Sequence, residues 1–241
     1  MSEKKTEGKK RGRTENKRAS REEERKQAML AAWIPKTRLG KLVLNKEINS
    51  LNEIEKKGLK IMEPEIVDLL VEDLEEKVVD FKKTTRVTRS GRNFSFRATV
   101  IVGDKNEWIG VGVGKDKERW PAIRKATRNA KLQLVRIRKG CGSWECKCGL
   151  KHTVPFKVEG SSASVKVRLM PAPKGIGLAA SDSIKDILIF AGIKDIWAKT
   201  RGNSSTKLNF VQAIVDALSE TTKKFASPDL EKKIQKIEGL K

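Results

Sequence analysis

Residues 78–114 read VVDFKKTTRVTRSGRNFSFRATVIVGDKNEWIGVGVG, and the fold turns on how this run is read. It alternates and is rich in β-branched residues and phenylalanine, as strands with one packed face are. The pattern predicts two strands, about 78–89 and 93–103, joined at Ser90-Gly91-Arg92. A third short strand, WIGVGVG, follows the turn Asp104-Lys105-Asn106-Glu107. Its glycines Gly110, Gly112 and Gly114 have nothing to pack with, which points to close approach by another backbone. In the next run, RWPAIRKATRNAKLQLV, Ile123, Ala126, Ala130 and Leu134 recur at helical spacing, with Arg124, Lys125, Arg128 and Lys131 on the opposite face. Phe94 and Phe96 are two apart and share one strand face. Packing under that helix is the expected role for both, in preference to stacking on bases.

Working outward, residues 1–26 are dominated by lysine, arginine and glutamate and cannot bury enough apolar area to order themselves, so they are expected to form a disordered basic arm. Residues 27–77 read as an extension with short helices. Ser50 and Glu53 have capping-box spacing for a helix ending at Gly58, and Val67, Leu70, Val71 and Leu74 suggest a second helix after Pro64. Downstream of the 78–139 unit, GCGSWECKCGLK at 140–151 reads as a linker. A second unit over 152–226 follows, with strand-like HTVPFKVEG and ASVKVRLM, the loop PAPKGIGL, a helix SIKDILIF, a strand KDIWAKT and a long amphipathic helix from Leu208. A basic tail occupies 227–241. The fold class is α+β, two small units side by side.

The 241-residue chain carries 53 lysines and arginines against 31 acids, a net charge of +22. This predicts a polyanionic partner. No apolar run nears the roughly 18 residues of a membrane span, and the start lacks the apolar core of a signal peptide, so a cytoplasmic protein with no membrane association is expected. From Lys82 to Gly103 there is no acid, while Lys82, Lys83, Arg86, Arg89, Arg92 and Arg97 are cationic, and acids are absent again from Arg119 to Ser143. Single-sign charge of this kind suits a phosphate track better than a solvated face. GVGVGKDKE fails as a nucleotide loop, because Lys115 is followed by Asp116 and the spacing is wrong. With a single histidine and no base–nucleophile constellation, no enzyme activity is expected. Cys141, Cys146, Cys148 and His152 offer four soft ligands in twelve residues, suited to a closed structural zinc site; the alternatives are three reduced thiols and a histidine that packs in a strand.

GRNFSFRATVIVGDKNEWIGVGVGKDKE (91–118), AIRKATRNAK, HTVPFKVEG, VRLMPAPKGIG and AGIKDIWAKTRGNSS, in that order, resemble the universal small-subunit ribosomal protein S-five family over roughly 78–222. WIPKTRLGKLV with EPEIVDLL resembles its archaeal and eukaryotic branch, and the cysteine cluster looks archaeal. The resemblance implies a domain like a double-stranded-RNA-binding domain, then a two-layer α/β domain with a left-handed crossover. It implies small-subunit rRNA as partner, ribosomal proteins S-four and S-eight as neighbours, and a position near the mRNA entrance that influences decoding accuracy. Carried over by position, Thr88, Arg89, Ser90, Gly91, Arg92 and Asn93 match one rRNA-facing loop, and Lys199, Thr200, Arg201, Gly202, Asn203 and Ser204 a second. Gly175, Gly177 and Lys185 match the S-four interface, with Lys185 replacing the bacterial arginine. The rival reading is a stand-alone RNA-binding regulator.

Overall fold

In the computed structural model, residues 33–71, 73–146 and 148–223 are described. The arm expected over 1–26 and the tail expected over 227–241 lie outside them.

Among the described residues of the first unit, which ends at Leu70, are three short helices, α1 (Arg38–Leu44), α2 (Leu51–Lys56) and α3 (Glu65–Leu70). Thr37 caps α1 by accepting the Gly40 N–H at 3.1 Å. The Glu63 carboxylate accepts the Lys36 and Thr37 N–H groups at 2.9 and 2.7 Å, satisfying donors that the helix start leaves open. At α2 the Ser50 hydroxyl turns to the Glu53 carboxylate, 3.2 Å away, instead of capping the backbone. The helix starts where the spacing predicts, but the side-chain to backbone bonds of a capping box are not made.

The second unit begins at Val71. β1 (Glu75–Thr88), β2 (Gly91–Gly103), β3 (Trp108–Asp116) and β4 (Leu134–Arg136) form an antiparallel sheet in that order, with α4 (Arg119–Leu132) between β3 and β4. The helix expected to run from Pro64 past Leu74 stops at Leu70, because Glu75, Glu76 and Lys77 already pair with Gly103, Val102 and Ile101. The ladder with β2 outweighs the helical spacing of Leu74. Likewise Leu134 and Val135 leave α4 to pair with Gly110 and Ile109.

β5 (Val158–Ser162), β6 (Val165–Pro171), β7 (Leu178–Ala179) and β8 (Ile196–Arg201) form a second sheet, ordered β5-β6-β8-β7, with only the β7–β8 pair parallel. α5 (Asp182–Phe190) connects β7 to β8, and α6 (Lys207–Lys223) follows β8. Of the HTVPFKVEG run only its end is strand; Thr153 makes an isolated bridge with Gly140.

Two cores organise these parts. One face of the first sheet, Ala98, Val100 and Val102, packs on Ala122, Ala126 and Ala130 of α4. The other face contributes Ile101 and Ile109 to a larger core with Val165, Val167 and Leu169 of the second sheet and Ile184, Leu188, Ile214 and Leu218 of α5 and α6. α6 touches β1, β3 and β4 on one side and β5 and β6 on the other, so the sheets are layered around it. The glycine expectation has a direct physical cause. A Cβ on Gly112 would lie 2.1 Å from the Ala126 carbonyl oxygen, and Gly110 and Gly114 meet α4 equally closely. Glycine facing alanine lets strand and helix backbones touch.

Candidate nucleic-acid interface and cysteine–histidine cluster

The β1–β2 hairpin runs well beyond the core. Thr88 pairs with Gly91, so Arg89 and Ser90 are the turn, one residue earlier than the expected Ser90-Gly91-Arg92. Cross-strand partners share a face of an antiparallel pair. Lys82 with Arg97, and Arg86 with Asn93, lie on one face; Lys83 with Phe96, Thr85 with Phe94 and Val87 with Arg92 lie on the other. The ribbon is thus cationic on both sides. Among the described residues, Arg86, Arg89 and Arg92 have no acidic partner, whereas Lys82 approaches Asp80 at 3.7 Å.

The two phenylalanines separate. Phe96 stacks on Phe81 at 5.5 Å and packs against the α4 core. Phe94 is 48% exposed, with the Lys83 ammonium 3.7 Å from its ring centre. The expectation that both are core residues fails for Phe94, because α4 does not reach that far along the hairpin. On α4, Arg124, Lys125 and Arg128 are exposed as expected. Lys125 holds Asp116 at 2.6 Å, and that ammonium, with the Lys117 N–H, draws the Asp116 carboxyl below its ordinary value.

A second basic surface lies on the outer face of the other sheet. Lys199 and Arg201 are exposed at the end of β8, and Gly202, Asn203 and Ser204 continue into an exposed loop. The Asn203 side-chain oxygen accepts the Ser205 N–H at 3.2 Å, which shapes that loop. Lys199 pairs across the ladder with Arg168, and Arg201 with Lys166, so four cations share one face. The sequence reading missed Lys166 and Arg168. The alternation Val165-Lys166-Val167-Arg168-Leu169 marks them as outward, but their alignment with β8 follows only from the register. Glu159 takes up part of this charge, meeting Arg168 at 2.7 Å and Lys157 at 3.2 Å.

The four candidate metal ligands come together. The Cys141, Cys146 and Cys148 sulfurs and a His152 ring nitrogen all lie within 4.8 Å of one another. Cys141 and Cys148 sulfurs are 3.5 Å apart, and the Cys146 sulfur is 3.8 Å from His152 Nε2. Sulfurs on a tetrahedron with zinc bonds of about 2.3 Å stand about 3.8 Å apart, so the spacing fits. The thiols sit in unequal environments. Burial and the neighbouring thiols push Cys141 up to about 12, whereas hydrogen bonds from Cys148 and from the Lys174 N–H bring Cys146 down to about 6.

His152 is buried, and its Nδ1 lies 2.9 Å from Asp195 Oδ2. Asp195 Oδ1 accepts the N–H groups of Gly175 at 3.0 Å and Gly177 at 2.8 Å. Burial works against the charge on Asp195, but these two donors and the imidazole hold its carboxyl below the usual value. Asp195 was also missed, since 43 residues separate it from His152 and no motif joins them. Gly175 and Gly177 have φ of +97° and +75°, and between them Ile176 is 44% exposed. Lys185 lies on α5, 3.1 Å from Asp182.

No helix among the described residues is long and apolar enough to cross a membrane. A family model described as ribosomal protein S5, N-terminal domain, matches residues 74–138, and one described as ribosomal protein S5, C-terminal domain, matches residues 160–230. The chain is 53% identical over 201 residues to the small ribosomal subunit protein uS5 of Methanobrevibacter smithii, covering 83% of this chain and 94% of the relative. It is 48% identical over 223 residues to the protein of the same name from Methanococcus maripaludis, covering 92% and 97%. For that of Methanothrix thermoacetophila the figures are 52% over 189 residues, covering 78% and 93%. With both family domains matched in order on the two sheets, and relatives of this identity spanning nearly their whole length, the chain belongs to the ribosomal protein S5 family.

Proposed function

We propose that this protein is a cytoplasmic structural constituent of the small ribosomal subunit that holds rRNA through its two basic surfaces. The observation that carries this reading is the hairpin, a ribbon with Arg86, Arg89 and Arg92 unpaired among the described residues and cations on both faces. Arg124 and Arg128 on α4, and Lys199, Arg201 and Asn203 on the second sheet, supply further phosphate-binding positions. Three antiparallel strands followed by a helix on one sheet face, β1, β2, β3 and α4, support the likeness to a double-stranded-RNA-binding domain. The parallel β7–α5–β8 connection is the crossover that the family resemblance makes left-handed. The division at 78–139 and 152–226 follows the same reading.

The partners are small-subunit rRNA and ribosomal proteins S-four and S-eight, near the mRNA entrance. The loop with Gly175 and Gly177, together with Lys185, is the S-four contact through which decoding accuracy is influenced; Ile176, exposed at the loop's tip, suits a protein neighbour. The cysteine–histidine cluster is a structural zinc site, with Cys141, Cys146, Cys148 and His152 filling all four positions and none open for water. Bound there, zinc supplies a cross-link, not chemistry.

The test is salt dependence. Changing Arg89 and Arg92 to alanine should weaken binding to small-subunit rRNA and flatten the plot of log affinity against log salt by about one unit for each phosphate no longer neutralised. An unchanged slope counts against the hairpin as a phosphate binder. Failure of the protein to sediment with small subunits at moderate salt counts for the regulator instead.

A further inference from the structure

The segment Pro171-Ala172-Pro173-Lys174-Gly175-Ile176-Gly177 is tied to β8 at its two ends, where Pro171 pairs with Ile196 and the Ile196 N–H donates to the Gly177 carbonyl at 3.1 Å, and between those ends its N–H groups bond mainly to residues outside it. Two of its residues are prolines and lack an N–H. The Gly175 and Gly177 backbones have φ of +97° and +75°, which favour glycine, and a Cβ on either would meet nothing within 4 Å. Its N–H groups reach elsewhere. Ala172 donates to the Thr153 hydroxyl at 3.4 Å, and Gly175 and Gly177 both donate to Asp195 Oδ1. Each acceptor is a chain neighbour of His152 or the carboxylate that His152 contacts.

We infer that the metal centre is the clamp that sets the conformation of the 171–177 loop, with Asp195 as the positioning residue that transmits its occupancy. The inference rests on the zinc reading given above and goes beyond it. Asp195 divides its oxygens: Oδ2 faces His152 Nδ1, and Oδ1 gathers the two glycine amides. Accepting from Nδ1–H fixes the imidazole as the tautomer whose Nε2 lone pair faces Cys146, the arrangement a ligating histidine needs. The same bond fixes the carboxylate plane, and hence where Oδ1 meets the loop. Without the metal, His152 and Cys146 lose the centre that fixes them, and the loop loses its shared acceptors' positions. The backbone bonds of Lys194 and Asp195 to the His152 carbonyl, 3.0 and 3.1 Å, keep the β8 approach in place either way. The response is therefore confined to the loop.

The experiment measures zinc per chain on full-length protein produced in metal-replete medium without chelator. It then compares amide exchange of the zinc-loaded and chelated forms. The expected result is one zinc per chain and exchange at Gly175 and Gly177 that rises about tenfold or more on chelation, with Ile101 and Val111 unchanged. Asp195→Asn offers one acceptor oxygen where two are needed, so it should lower zinc affinity roughly 10–100-fold or leave the loop amides fast in the zinc-loaded form. Two results overturn the inference while sparing the zinc site: one zinc per chain with unchanged loop exchange on chelation, or loss of protection that spreads to Ile101 and Val111. Absence of zinc in the replete protein overturns the zinc reading and this inference with it.

Discussion

At Gly112 there is no room for a side chain of any kind. A Cβ would meet the Ala126 carbonyl oxygen at 2.1 Å and the Ala130 nitrogen at 2.2 Å, both backbone atoms of α4 that cannot swing aside. Gly112→Val should therefore push α4 off the sheet and cost roughly 3 kcal/mol, seen as a lower urea midpoint. A midpoint within error of the parent would show that helix and strand can part at little cost. The need for a neighbouring backbone was legible in the alternating glycines, and the alanines that answer them were legible in the helix. Asp195 was not legible, because a buried carboxylate that serves two glycines and a histidine leaves no local pattern. Phe94 was misjudged for a related reason: two phenylalanines on one strand face look alike until the end of the covering helix is known.

Among elements, β6 and β8 make the sharpest comparison. Lys166, Lys199 and Arg201 have no acidic partner among the described residues, but Arg168 is held by Glu159 at 2.7 Å. Lys166→Ala should reduce the salt slope of rRNA binding by about one unit, and Arg168→Ala should reduce it less, because its charge is already partly met. The melting temperature should change little in either, as both side chains point away from the core. An unchanged slope in both variants would remove the second sheet's face from the interface. Strand existence was readable from alternation, and element ends were not. β1 begins at Glu75 and α3 stops at Leu70 because β2 offers ladder partners to residues whose own spacing favours helix. Register likewise depends on partners distant in sequence.

Across the whole second unit, the two sheets do not stand as separately closed bodies. Ile101, Ile109 and Ile137 belong to the same buried cluster as Ile184, Ile214 and Leu218. The Arg138 N–H reaches the Thr221 hydroxyl at 3.1 Å, and Lys105 N–H reaches the Phe190 carbonyl at 3.1 Å. A fragment of residues 74–138 should therefore lack a cooperative thermal transition by circular dichroism, since one face of its sheet would be open and apolar. A sharp transition in that fragment would show that the α4 core suffices. Sequence reading found both groups of elements and the amphipathic last helix. It could not foresee that this helix is covered by a sheet on each side, because burial against a distant sheet has no signature of its own beyond apolar content.

The hairpin's charge pattern carries a consequence for assembly order. A ribbon with Lys82, Arg86 and Arg97 on one side and Lys83 and Arg92 on the other cannot satisfy both sides by lying along a single strand of phosphates. In the rRNA-binding role proposed above, it would act as a splint, with one polynucleotide segment against each surface and the thickness of a two-stranded ribbon setting the gap. Such a splint would be grasped fully only with both segments present, so its final grip would wait for the second to arrive.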